Sequence, residues 1–417
     1  MGFPLSIDLT LGRVSRLLKA LGTPQRYMPP VIHVAGTNGK GSIIAFLRSI
    51  LEEAGYNVHV YTSPHLIRYN ERVRVSGKLL SDYELELLIQ DCIRINKERS
   101  ITFFEIMTAA AFLAFSRSSA DLTLIETGLG GRLDATNLIE NPAVSVITPI
   151  SIDHEQHLGK GIRRIATEKA GILKTGCPVV VAKQRSTGLS VIEASARKKG
   201  VPLWRYGVEW QVRHMSFGSV FDSFATRRIL PVPHMLGMHQ RDNAATATAA
   251  LDLLEGFPVS NRDVWLGILS TKWPGRFQLL GVGPLTNLVD DRVRIWVDGG
   301  HNGAGGEVLA NLIKVNLRNN SVGLIIGMLA TKSPEDFIKP LAPHVQNICA
   351  IGFDKAVAFD KMELAQRLLA VGIYSKTEDS LSSAIQYLSK EGCKNVIICG
   401  SLHLAGQALS QNDELLT

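Results

Sequence analysis

Apolar residues along this chain alternate between two rhythms. Predominantly apolar runs at 31–35, 57–61 (NVHVY), 122–126 (LTLIE), 143–148 (AVSVIT) and 178–182 (PVVVA) read as buried strands. Between them, apolar positions recur every three or four residues. Leu11, Val14, Leu17, Leu18 and Leu21 mark a helix within 5–21 that Gly22 and Pro24 end, and Ile43, Phe46, Leu47, Ile50, Leu51 and Ala54 mark one that Gly55 ends. Two more helices are expected, one over 81–96 and a buried one in the apolar, alanine-rich second half of 101–116. The polar stretch LIRYNERVRVSGKLL, with a turn at Ser76-Gly77, reads as a long surface loop. Strands alternating with helices imply a parallel sheet covered on both faces. From 205 to 235 the short, turn-rich pattern suggests a small antiparallel appendage, after which Asp242-Asn243 start a helix and 261–270 form another. Trp273 to Phe277 then interrupts, and a second strand–helix series follows at 293–298, 322–328, 348–353 and 396–400.

The stretch between the first strand and its helix is GTNGKGS, residues 36–42. Three glycines let the backbone turn tightly, so amide groups at a helix N-terminus converge on an anion, with Lys40 adding charge and Ser42 a hydroxyl. The spacing fits the usual P-loop pattern imperfectly, since two residues separate Gly36 from Gly39 and Gly41 stands between Lys40 and Ser42. The expected architecture is α/β: a P-loop-type doubly wound parallel-sheet ATPase domain over 1–276, and a smaller Rossmann-like domain over 277–417.

Composition narrows the picture without changing it. A chain of 417 residues with 45% hydrophobic and 20% charged content suits two globular domains, and no apolar run reaches membrane-spanning length. The net charge of +7 is scattered, with no aromatic platforms among the basic residues, which favours small anionic substrates over nucleic acid. Five cysteines without metal-ligand spacing point to a reducing cytoplasm. The opening MGFPLS matches the loose myristoylation pattern but lacks a second basic signal, so membrane attachment is discounted. A monomer is the expected state.

Polar residues fall at the C-terminal ends of the expected strands, which in open α/β sheets share one edge. Ser63, Glu126 and Asp153-His154 all do so, and one site can be assembled from them and the phosphate turn. Glu126 needs a partner, either Arg132 or a Mg²⁺ ion beside nucleotide phosphates. Lys169 is by default a helix-surface charge; near such a crevice it can bind phosphate or carry a carbamate. Asp298, His301 and Asn302 follow the first strand of the second series. Arg276, at the expected boundary, suits either phosphate or an ion pair.

Longer motifs then identify a family. GTNGKGS at 36–42, TSPHLIRYNERVRV at 62–75, TFFE at 102–105, ETGLGGRLDATN at 126–137, Asp153-His154, EKAGI at 168–172, NAAT at 243–246, PGRFQ at 274–278, DGGHN at 298–302 and CGSLH at 399–403 run in order over nearly the whole chain. Together they resemble the folylpolyglutamate synthase branch of the Mur ligase superfamily, in particular its bifunctional bacterial form with dihydrofolate synthase activity. The resemblance implies an ATP-dependent ligase that joins L-glutamate to dihydropteroate or a reduced folate, with ATP and Mg²⁺ as cofactors. By the same resemblance, Thr37, Asn38, Gly39, Lys40, Gly41 and Ser42 hold ATP phosphates, and Asn243, Arg276 and Asp298 contact ATP. Ser63, Glu126 and His154 ligate the metal, Lys169 is the carbamylated lysine, and Lys40, Lys169 and His301 form the catalytic set. Thr102, Phe103, Phe104 and Glu105, with Leu133, Asp134 and Ala135, match the pterin-binding segments. His301, Ser401 and His403 lie in motifs on the second-domain side.

Relatives commonly carry a further helix ahead of the position of Ile7-Asp8-Leu9, whereas six residues precede it here, so a more open pterin pocket or a later coding start is expected. A Mur-type ligase acting on a nucleotide-linked cell-wall precursor is the nearest rival; it would need a separate domain ahead of the phosphate turn, where only about thirty residues stand. A P-loop NTPase switch is the rival from another class.

Overall fold

The computed structural model describes residues 8–317, 321–353 and 357–414. Met1 to Ile7, on which the expectations about the chain's start turned, lie outside the described residues. The chain forms two compact units. The first comprises residues up to Ser151, Glu155–His234 and Met238–Lys272; the second comprises Ile152–His154, Met235–Gly237 and everything from Trp273.

The first unit is built on an eight-stranded sheet. Its strands are β1 (Val31–Ala35), β2 (Val58–Tyr61), β3 (Val73–Val75), β4 (Lys78–Leu79), β5 (Leu122–Glu126), β6 (Val144–Ile147), β7 (Val179–Val181) and β8 (Leu203–Arg205), in the order β4-β3-β2-β5-β1-β6-β7-β8. Pairings from β2 through β8 are parallel, while β3 and β4 continue the edge as an antiparallel hairpin. β1 is central and buried along its whole length, with Val34 opposite Glu126 on one side and Val146 on the other. Parallel strands in register end together, so the residues after β1, β2, β5 and β6 share one edge.

Helices cover both faces. On one, α1 (Gly12–Ala20), α3 (Asp82–Asn96) and α4 (Phe103–Arg117) pack through Leu17, Leu85 and Phe112 onto Val31, Tyr61 and Ile125. Beyond α5 (Glu155–Leu158), α6 (Ile162–Lys169) and α7 (Ser186–Lys199) continue that cover through Ile165 and Ile192. The other face carries α2 (Lys40–Glu53), α8 (Met238–Leu251) and α9 (Asn261–Ser270). Ile43, Ile44, Phe46, Leu47, Ile50 and Leu51 of α2 are all fully buried. At roughly 1.5–3 kcal/mol per side chain, they fix the helix that starts at the phosphate turn with roughly 9–18 kcal/mol of gross transfer energy. A separate antiparallel sheet, β9 (Trp210–Met215), β10 (Gly218–Ser223) and β11 (Arg227–Leu230), forms the appendage expected from the sequence.

Two sequence expectations are corrected. The stretch 66–80 is not wholly a surface loop, because β3 and β4 lie within it and Val73 is fully buried. An edge hairpin keeps charged residues on its open side, and that composition imitates a loop. α8 begins at Met238, so Asp242 and Asn243 lie inside the helix rather than at its start.

The second unit has the strands β12 (Gln278–Leu279), β13 (Arg294–Val297), β14 (Val322–Ile326), β15 (Asn347–Ile351), β16 (Lys376–Glu378) and β17 (Asn395–Cys399), in the order β12-β13-β17-β14-β15-β16. All pairings are parallel except β12 with β13. α10 (Gly303–Asn316), α11 (Pro334–Ile338), α12 (Lys361–Leu369), α13 (Leu381–Lys390) and α14 (Leu402–Gln411) complete it. Phe277 stacks on Trp296 at 4.7 Å, and both join Leu309, Leu324, Phe337 and Ile397 in one core.

Candidate active site

In the first unit the chain leaves β1 at Gly36, whose φ is +147°; a Cβ there would fall 1.8 Å from the Thr148 hydroxyl. Only glycine fits. The Thr148 hydroxyl donates to the Asn38 carbonyl at 2.7 Å, and Thr37 bonds Ser151 in both directions at 3.1 Å, so the end of β6 shapes the turn. Gly39 adopts φ +90°, and α2 begins at Lys40 with its first amides facing the turn.

The lysine and the carboxylate predicted to serve a nucleotide meet here. Lys40 Nζ donates to the Thr37 carbonyl at 3.1 Å and stands 3.8 Å from Glu126 Oε1, while Glu126 Oε2 accepts from the Ser63 amide at 3.2 Å. Lys169, only 5% exposed, donates through Nζ to the Gly36 carbonyl at 2.7 Å. Asn243 closes the other side, for a Cβ on Gly39 would lie 2.8 Å from its Oδ1. The structure therefore gathers the 36–42 turn, Ser63, Glu126, Lys169 and Asn243. The alternative partner for Glu126, Arg132, binds Glu168 instead at 2.9 Å. Ser63 and Glu126 offer hard oxygen donors, which suit Mg²⁺ when phosphate oxygens supply the remaining ligands. Among the described residues no cluster of three or more His, Cys, Asp and Glu forms a protein-only metal site.

The segments expected to take the pterin lie in the same unit. Thr102 caps α4, and Glu105 returns the bond by accepting from the Thr102 amide at 2.7 Å. Glu105 also accepts from Arg13 Nε at 3.0 Å, a partner the sequence reading missed. Phe103 meets Tyr69 edge-on at 5.1 Å and lies under the Arg72 guanidinium, whose Nε donates to His65 Nδ1 at 3.0 Å. Phe104 rests on Gly128, where a Cβ would come within 2.3 Å of the ring. Leu133 is half-buried and Ala135 buried.

Asp134 is 2% exposed and turned into its own loop. Oδ1 takes the Thr136 amide and hydroxyl at 3.0 and 2.6 Å, and Oδ2 takes the Leu129 amide at 2.7 Å. Burial raises its pKa, and these donors oppose the rise. Because the Thr136 hydroxyl gives its proton to Asp134, it can only accept from His33 Nε2, 2.9 Å away. His33, fully buried on β1, is thus the neutral Nε2–H tautomer, and desolvation lowers its pKa to about 3.

The second unit carries its own polar cluster, centred on Asp153. Lys332 Nζ donates to Asp153 Oδ1 at 2.5 Å, Asn302 Nδ2 donates to Oδ2 at 3.0 Å, and His301 Nε2 lies 3.5 Å from Oδ2. Burial works to raise the Asp153 pKa, but the His301 bond and the charge of Lys332 hold it far below the usual carboxylate range. His154 sits in the left-handed region at φ +54°, its amide bonded to Asp153 at 2.8 Å and its Nε2 3.1 Å from Lys332 Nζ. A lysine can only donate, so His154 Nε2 is the acceptor. Asp298 accepts from the Gly300 and Phe277 amides at 2.7 and 2.9 Å, and desolvation raises its pKa against the pull of Arg276. Arg276 Nη1 donates to the Gly275 carbonyl at 3.2 Å and passes close over Gly299, so PGRFQ and DGGHN interlock. Ser401 caps α14, its hydroxyl accepting from the His403 amide at 3.1 Å. Lys332 was missed, although it follows β14 by a few residues and the strand-end rule applied to the other candidates would have reached it.

Comparison with known proteins decides the family. The Mur ligase middle domain model matches residues 34–251, and the model of the dihydrofolate synthetase C-terminal domain matches 282–411. The dihydrofolate synthase/folylpolyglutamate synthase of Bacillus subtilis is 35% identical over 94% of this chain and 92% of its own, and that of Escherichia coli is 35% identical over 98% and 92%. This chain belongs to the dihydrofolate synthase/folylpolyglutamate synthase family. Within it, E. coli FolC solved with DHPP and ADP superposes with a TM-score of 0.88 at 34% identity, covering 98% of this chain and 94% of that one. A bifunctional folylpolyglutamate synthase/dihydrofolate synthase solved with Mn, AMPPNP and L-glutamate gives 0.86 at 30% identity, covering 97% and 95%. Membership of the folylpolyglutamate synthase family makes the chain an ATP-dependent, amide-forming ligase. No described helix is long and apolar enough to cross a membrane.

Proposed function

We propose that this chain adds L-glutamate to dihydropteroate, to reduced folates, or to both, through an acyl phosphate. The observation that carries the reading is the meeting of Lys40, Glu126 and Ser63 at the glycine turn, in the same unit as Phe103 and Phe104 of the segment assigned to the pterin. The domain reading is that residues 1–276 carry the ATP and folate sites and 277–417 the glutamate-ligating part. The protein is read as a cytoplasmic monomer without nucleic-acid or membrane partners.

In the first step a substrate carboxylate oxygen attacks the γ-phosphorus of ATP, and the bond to the β–γ bridging oxygen breaks to release ADP. The α-amine of glutamate then attacks the acyl carbon, phosphate leaves with the former carboxylate oxygen, and the amine's proton is lost to a base. Charge grows on the transferring phosphoryl oxygens, so preorganised donors lower the barrier. Lys40 and the amides of residues 37–42 are assigned to that role, and Asn243, Arg276 and Asp298 to holding ATP. Ser63, Glu126 and His154 would hold Mg²⁺, which would supply charge neutralisation there. Lys169 is read as carbamylated: its remaining N–H can keep the bond to Gly36 while the new carboxylate adds an anionic anchor for the ion. His301 completes the catalytic set. Thr102, Glu105, Leu133, Asp134 and Ala135 shape the pterin pocket together with the two phenylalanines, Asp134 by fixing its loop.

One assay tests the reading: ADP release with dihydropteroate or tetrahydrofolate, each with and without L-glutamate. Turnover should require both the pterin acid and glutamate. Steady ATP hydrolysis indifferent to them would identify a nucleotide switch instead.

A further inference from the structure

Four consecutive residues near the start of α8 face two different neighbours. Gln240 and Asn243, three apart and therefore on one helix face, are 1% and 6% exposed. Asn243 Nδ2 donates to Gln240 Oε1 at 3.0 Å, which orients the carboxamide so that Oδ1 faces Gly39 of the phosphate turn. The two residues between them grip the antiparallel sheet. Arg241 Nη1 donates to the Met215 carbonyl at 2.7 Å, at the hairpin joining β9 to β10. Asp242 Oδ1 bonds His214 Nε2 on β9 at 2.8 Å, and His214 Nδ1 bonds the Ser219 hydroxyl on β10 at 2.8 Å.

The same sheet holds the far end of the helix. Asp252, directly after α8, has a fully buried side chain that accepts from the hydroxyls of Ser223 and Thr226 at 2.7 Å each and pairs with Arg228 at 3.4 Å. These bonds join β10, the β10–β11 turn and β11 to the helix end, so α8 is strapped at both termini to one sheet. Ser219, His214 and Asp242 have the composition of a nucleophilic triad. Ser219, however, is 1% exposed in the middle strand, and its hydroxyl serves only to orient the imidazole.

We propose that the β9–β11 sheet is a mount that sets Asn243 against the phosphate turn, with His214 and Asp242 as positioning residues for nucleotide binding. The inference rests on the reading that Asn243 contacts ATP. It follows from stiffness: one helical turn carries both the grip and the contact residue, so a shift at Asp242 is delivered to Asn243 within one residue. Losing an orienting hydrogen bond of this kind is worth on the order of 1 kcal/mol, about fivefold to tenfold in affinity.

The test is calorimetric ADP binding to the full chain carrying Asp242→Ala, His214→Phe, Asn243→Ala and the pairwise combinations with Asn243→Ala. Asp242→Ala and His214→Phe are each expected to weaken ADP about fivefold to tenfold and to raise KM for ATP more than they lower kcat, leaving KM for the pterin acid unchanged. Neither should weaken ADP further once Asn243 is alanine. Where a single variant folds poorly, the exchange His214→Asp with Asp242→His restores the pair and should restore ADP affinity. Unchanged ADP affinity in Asp242→Ala, or a loss that adds fully to that of Asn243→Ala, overturns the proposal. Normal ADP binding by Asn243→Ala alone would instead sink the contact reading beneath it.

Discussion

Lys169 donates through Nζ to the main-chain oxygen of Gly36 across 2.7 Å, in a site where the lysine is almost wholly buried. The bond braces a residue of the phosphate turn that no side chain could replace. Lys169→Ala is therefore expected to lose activity by two orders of magnitude or more, on the order of 3 kcal/mol. The form of rescue then separates two roles. Recovery with acetate or another short carboxylate identifies a carbamate, whereas recovery with methylamine identifies an amine that only braces Gly36. Normal turnover in the variant would remove Lys169 from the mechanism.

Phe104 lies so close over Gly128 that a methyl group there would sit 2.3 Å from the ring. Gly128→Ala must displace an aromatic side chain at the edge of the proposed pterin pocket, a cost of about 1–3 kcal/mol. The expected result is a KM for dihydropteroate or tetrahydrofolate raised tenfold or more, with ADP affinity within twofold of the parent. Equal losses for both ligands would mean that the phosphate turn had moved as well.

His33 makes the first unit sensitive to acid. Its pKa falls from 6.5 in the unfolded chain to about 3 in the folded one, so between these values the unfolded state binds the extra proton. The stability held by the neutral imidazole is complete above pH 6.5 and drains away as the pH falls towards 3. At pH 5 the loss is about 2 kcal/mol. Urea unfolding at pH 8 and pH 5 should show His33→Gln losing about 2 kcal/mol less than the parent across that interval; parallel losses would refute the assignment.

In the second unit, Lys332→Met leaves the Asp153 carboxylate, 8% exposed, without its nearest cation. Removing one partner of a buried pair typically costs about 3–5 kcal/mol, and the remaining bonds from Asn302 and His301 favour the lower end. Adding Asp153→Asn should recover part of that stability in thermal or urea unfolding. A single variant as stable as the parent would show that Asp153 is held by its other partners alone.

Much of this protein was legible in its letters because local chemistry is written locally. The apolar runs of β1, β5 and β6 and the helical spacing along α2 identify their elements, since a buried parallel strand and a packed helix each impose a period on the sequence. The glycines of the turn were readable for the same reason, and ordered motifs carried the family. What escaped were features whose cause lies elsewhere in the chain. β3 and β4 carry the charges of an edge, and their status as strands depends on β2, a neighbour no local window contains. Arg13 became a partner of Glu105 across 92 residues, and Lys332 a partner of Asp153 across 179. Asp134 could be singled out by its motif, but only folding turned its carboxylate inward to bind its own loop and, through Thr136, to fix the tautomer of His33. By itself the sequence determined which segments become strand or helix and which residues stand at strand ends. Only the tertiary structure decided which of those polar groups face one another, because pairing depends on distances that chain order does not encode.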